Sequence, residues 1–131
     1  MAGETDLRVL VASMSPEAVP GHWFFGTIEP GTMVDAVATV LEPEGLSVVV
    51  GRSEADRLGF DTTHAYRWST LRVHSSLDAV ALTLAVAAAI TENGMSCNVM
   101  AGAFHDHLFV PAARLEDALV ALKQLSARDR A

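Results

Sequence analysis

The sequence predicts an α+β fold in which helices pack on one face of an antiparallel sheet, and three observations lead there. Residues 73–111 read as strand, helix, strand, tight turn and strand, with few positions left over. Residues 112–126 add an amphipathic helix, and the first half offers three or four strands with short helices between them. A strand-helix-strand-strand-helix order belongs to the split βαβ, or ferredoxin-like, arrangement of layers. No direct sequence repeat joins the two halves, so a duplication would rest on element order alone.

Composition narrows the function classes. A chain of 131 residues, half of them apolar, suits one compact domain or two very small ones sharing a core. Nine Lys and Arg against 16 Asp and Glu leave a formal charge of −7, with no basic run, so nucleic acid and anionic membrane surfaces are not expected partners. The single cysteine, Cys97, excludes an intrachain disulfide framework and fits a reducing cytoplasm, where it would act as a small buried hydrophobe. The opening MAGETDLR lacks the apolar centre of a signal peptide. The longest uncharged apolar stretch, residues 79–90, has 12 residues, against ~20 for a bilayer span. A cytoplasmic, non-membrane protein is expected.

In chain order, Thr5 can cap a helix carrying Leu7, Leu10, Val11 and Met14, with Ser15-Pro16 as its stop. Pro20-Gly21 reads as a turn, and residues 22–28, HWFFGTI, as a strand. Residues 37–41 and 46–50 flank Glu42-Pro43-Glu44-Gly45, a hairpin signal. Residues 53–58 suggest one helical turn closed by Gly59, and the polar residues 61–64 form the boundary before a strand over residues 66–74. Ser75 and Asp78 fit a capping box for a helix reaching Thr91 or Glu92, where Asn93-Gly94 would close it. Leu115, Ala118, Leu119, Leu122 and Leu125 give the last helix one apolar face, and residues 127–131 are expected to fray.

The helix after Ser75 has two apolar sides, Leu77, Val80 and Leu84 against Leu82, Val86 and Ile90. One side can face the sheet. The other needs a second layer, from this chain or from another copy, unless the helix is simply a core element.

Catalytic patterns are missing: there is no G-x-S-x-G, H-E-x-x-H, C-x-x-C or phosphate-binding glycine-lysine loop, so no enzyme activity and no cofactor are expected. His105 and His107 lie two apart and could share a metal, but His74, His64 and His22 stand at no matching spacing for a third ligand. A hairpin over residues 101–106 with histidines at its rim accounts for the same residues without metal. The hydroxyls of Ser75 and Ser76, with free N–H groups at a helix start, would suit a carboxylate. Strand alternation turns Thr70, Arg72 and His74 away from the helices, together with Ser96, Asn98 and Met100, while Cys97 and Val99 go inward. That outward face is either part of a site or a plain solvated sheet face.

The elements VHSSL, GMSCNV, the A-G turn and HDHLFVP, with the EPEGLSVVV hairpin and the SMSPE…PG start, resemble small bacterial proteins built from two ACT-type modules. The resemblance covers nearly the whole chain and implies a tandem of ferredoxin-like modules, over residues 1–65 and 66–131. It further implies a regulatory protein that binds a small molecule, an amino acid, between modules, and that forms a homodimer or higher homo-oligomer. By that resemblance the ligand crevice comprises His74, Ser75, Ser76 and Leu77 at the strand-to-helix loop, with Cys97, Asn98 and Val99 on the neighbouring strand. The competing expectations are an oligomerising interaction module without ligand and a metal-dependent enzyme using His105 and His107.

Overall fold

The computed structural model describes residue 12 and residues 14–72 and 80–130. Six strands and three helices lie among them: β1 Pro16–Ile28, β2 Ala38–Glu42, β3 Gly45–Gly51, α1 Arg52–Leu58, β4 Tyr66–Leu71, α2 Val80–Glu92, β5 Asn98–Ala101, β6 Asp106–Pro111 and α3 Leu115–Arg130, with a 3-10 turn at Ala112–Arg114. The strands form one sheet in the order β2-β3-β1-β4-β6-β5. Every pairing is antiparallel. The α+β, ferredoxin-like expectation therefore holds, with the helices on one face.

β1 holds the sheet together. Its second part pairs with β3, from Trp23↔Gly51 to Ile28↔Leu46, while its first part pairs with β4, from Pro16↔Leu71 to Val19↔Trp68. Pro20-Gly21 is thus not a turn between separate elements, as the sequence suggests. It is a bulge inside one long strand, where the register shifts between Val19 and Trp23 and Gly21 takes φ 104°. Proline is tolerated there because ladder bonding lapses at a bulge, and a positive φ suits glycine. The order β1-β4-β6-β5 makes the second half a four-stranded module whose last strand comes from residues 16–19, and β4 in turn borders the first half through Trp23↔Tyr66.

Two apolar clusters fill the helix side. The larger joins Leu71, Leu108 and Val110 of the sheet to Leu82, Val86 and Ile90 of α2 and to Leu115, Ala118, Ala121 and Leu122 of α3, with Met14 and Ala18 contributed from before and within β1. The smaller joins Phe24, Val48 and Val50 to Ala55 of α1. The smaller cluster has this one short helix, and residues 29–37 do part of a helix's work: Val34 and Ala36 pack on that cluster beside Phe60. Glu54 and Arg57 on α1 fasten the segment. The Asp35 backbone N–H donates to Glu54 Oε2 at 2.9 Å, and Arg57 Nη2 donates to the Met33 carbonyl at 3.0 Å. The Arg57 guanidinium beside it, bonded at 2.6 Å, is the main reason the Glu54 carboxyl is held down to about 2.

Local signals in the second half are met where they are described. Gly94, at φ 75°, closes α2 with its N–H on the Thr91 carbonyl at 2.9 Å, while the Asn93 side chain donates to the Ala89 carbonyl at 2.8 Å. The Gly102 N–H donates to the His105 carbonyl at 2.8 Å and closes the β5-β6 hairpin. α3 continues through Arg130, so the expected fraying of residues 127–130 is not found. The Thr5 helix start and the Ser75-Asp78 capping box lie outside the described residues.

Candidate functional site

The face away from the helices is neither polar nor a plain solvated surface. Trp23 and Phe25 of β1, Tyr66 and Trp68 of β4 and Phe109 of β6 all point there, each two residues from the next along its own strand. Their rings touch across the sheet: Trp23 meets Trp68 edge-on at 5.2 Å, Phe25 meets Tyr66 at 4.9 Å and Phe109 at 5.8 Å, and Trp68 stacks on Phe109 at 5.8 Å. Phe109 is only 2 % exposed although none of the described helices covers it. The sheet curls over this aromatic row. The signal was present in the sequence as aromatics at i and i+2 in HWFFGTI and YRWSTL, a period-2 stripe that marks a second packed face.

His107 completes the row, and it is half-buried under Trp68 rather than placed at a hairpin rim. The Trp68 indole N–H donates to His107 Nδ1 at 3.2 Å, and the Thr70 hydroxyl lies 3.1 Å from the same nitrogen. Thr70, expected to face solvent, is 4 % exposed. A ring nitrogen that accepts from an indole must be unprotonated, so the proton of the neutral ring sits on Nε2. Burial, above all, pushes the His107 pKa below its usual 6.5. The folded state therefore disfavours the charged ring, and the unfolded chain binds more protons just below pH 6.5. The stability this histidine contributes should be complete above about pH 6.5 and decline as the pH falls below it, whereas His107→Asn should flatten that part of the urea-unfolding profile.

Beside the aromatic row the curled face holds a cavity of about 380 Å3, lined by Phe25, Thr27, Ala38, Val40, Ser47 and Val49 with Met100 reaching in from β5. β2 and β5 are the two ends of the sheet, so residues from opposite edges face one space.

The residues marked by the sequence are distributed as follows. His74, Ser75, Ser76 and Leu77 lie outside the described residues. Cys97 and Val99 pack against the larger cluster, as their inward alternation requires, and burial lifts the Cys97 thiol to about 11. Asn98 is exposed at the start of β5, on the same face as Phe109. β6 separates β4 from β5, with Thr70 and Met100 pairing with His107 from its two sides. Asn98 and the end of β4 are thus about three residues apart along the strands and two strand spacings apart across the sheet, roughly 14 Å in all. Arg72, at that exit, ion-pairs with Glu17 at 3.1 Å. Among the described residues no three metal-ligating side chains cluster, and no helix is long and apolar enough to cross a membrane.

Comparison with known proteins agrees with this architecture. The ACT domain matches twice, over residues 2–67 and over residues 63–124. A crystal structure of a Vibrio cholerae protein of unknown function, described as a possible transport protein, is 38 % identical, with 92 % of this chain and 95 % of that one covered at a TM-score of 0.80. An X-ray structure of an Agrobacterium tumefaciens protein shares the fold at 17 % identity and a TM-score of 0.63, covering 86 % of this chain and 89 % of its own. No curated protein matches the chain.

Proposed function

The chain belongs to the ACT-domain family, as two such domains in tandem, and from that membership we propose that it is a non-enzymatic regulatory protein that binds a free amino acid. The observation that carries the reading is the edge of β5, where the exposed Asn98 stands beside strand N–H and C=O groups that, among the described residues, no neighbouring strand takes up. A zwitterion needs donors for its carboxylate and acceptors for its ammonium, and an edge strand with an amide side chain offers both. Two copies meeting antiparallel along β5 would place Asn98 of one beside Ala101 of the other. The proposed crevice combines His74, Ser75, Ser76 and Leu77 with Cys97, Asn98 and Val99. The Cys97 thiol, lifted to about 11, stays protonated at neutral pH and serves as packing, not as a nucleophile.

A second reading, an oligomerising interaction module without ligand, is favoured by Leu84, which is 72 % exposed on the side of α2 opposite Leu82, Val86 and Ile90. Calorimetric titration with the twenty amino acids separates the two. We expect saturable binding of at least one, weakened about tenfold by Asn98→Ala at the cost of one hydrogen-bonding group, with little change in unfolding because Asn98 is exposed. No binding at millimolar concentration by a protein that is nevertheless dimeric would favour the interaction module.

A further inference from the structure

We propose that the cavity on the curled face is a second ligand site, which takes a small apolar molecule with an uncharged head group. Its walls are Phe25, Ala38, Val40, Val49 and Met100, and no charged side chain lines it. Its volume of about 380 Å3 falls in the range of small-molecule sites, roughly 300–1,000 Å3. The space is preformed. β1, β3 and β2 are held by continuous ladders, Phe25↔Val49, Thr27↔Ser47, Ala38↔Val49 and Val40↔Ser47, so the walls cannot close inward without losing strand pairing. Met100, entering from the far edge, is an unbranched side chain that can adjust to an occupant. Phe25 and Val40 stand 38 % and 56 % exposed at the mouth, apolar area that an occupant would remove from water.

The class of ligand follows from the polar groups. Thr27 and Ser47, paired across the β1-β3 ladder on this face, supply hydroxyls on one side, able to bond a neutral hydroxyl or carbonyl. A free amino acid would carry both its charges into a space with no partner for either, which is strongly unfavourable. An anionic head is disfavoured as well. Thr27 also borders a crevice lined by Glu29, Glu42 and Glu44, and the Ser47 hydroxyl already donates to the Glu42 carboxylate. Three carboxylates at that end repel a fatty acid's head but tolerate an alcohol of the same chain length. This site shares only Met100 with β5 and stands whether or not an amino acid binds at that strand's edge.

Titration of the full chain with 1-octanol and with octanoate, followed by tryptophan fluorescence and NMR, tests the proposal. We expect saturable octanol binding and at least tenfold weaker binding of octanoate. Ala38→Trp, which fills the cavity from an edge strand, and Val40→Glu, which brings a charge to its mouth, should each abolish octanol binding without moving the urea midpoint. Equal affinity for the two ligands would overturn the assignment of ligand class. Binding that survives both variants, or no saturable binding by a protein whose dimer is lost on Val40→Glu, would overturn the site, the latter by showing that a second copy covers this face.

Discussion

Phe109→Ala should destabilise the protein by about 3–5 kcal/mol in urea unfolding, as large a loss as a helix-side core residue would give. The residue sits on the face that none of the described helices covers, and a half-exposed sheet position would lose far less. Its ring is nevertheless 2 % exposed, stacked on Trp68 at 5.8 Å and met edge-on by Phe25 at 5.8 Å. Truncation would leave a hole bounded by strands whose ladders fix their spacing, so the site can collapse only in part. The aromatic pair geometry adds to the loss beyond buried area. Leu84→Ala on α2 is the natural contrast: at 72 % exposure it should change stability by less than about 0.5 kcal/mol in the monomer. A Phe109→Ala cost below about 1 kcal/mol would mean that the curled face is not a second core.

Much of the fold is legible in single residues because the signals are local. Asn93-Gly94 at the end of α2, Gly59 after α1, and the Glu42–Gly45 hairpin each demand a backbone conformation that few residues supply, and each is found where the pattern places it. The inward set of α3 follows from its 3.6-residue period and that of β6 from its alternation. Pro20-Gly21 misleads for a physical reason: a turn and a bulge ask for the same residues, and only pairing with β4, more than 40 positions away in the chain, makes it a bulge. The same holds for the outward face. Thr70, Asn98 and Met100 look like solvated positions when each strand is read by itself, yet the curl that buries Thr70 and brings Met100 over the β1-β3 ladder is a property of the whole sheet. Periodicity on α2 is ambiguous between a core helix and a two-sided one. Leu82, Val86 and Ile90 are buried and Leu84 is not, so among the described residues nothing forms a further layer on that side.

The other large effect concerns how far the two modules depend on one another, and we expect residues 66–131 expressed alone to show no cooperative monomeric unfolding. The segment would lose β1, which pairs with β4 from Pro16↔Leu71 to Val19↔Trp68, and with it Met14 and Ala18 from the larger apolar cluster. It would also lose the contact that ties the end of α3 to the start of the chain, where the Ser126 hydroxyl donates to the Ala12 carbonyl at 3.0 Å. The exposed edge of β4 would then be free to aggregate. Half of this chain is also near the lower size limit at which one core sustains a fold. Both proposed sites use the same continuous sheet, so its unity is what the account most depends on. Differential scanning calorimetry of the whole chain beside residues 66–131 measures it directly. The account predicts one transition for the whole chain, with calorimetric and van't Hoff enthalpies equal, and none for the fragment; two transitions in the whole chain, or a cooperative transition in a monomeric fragment, would contradict it.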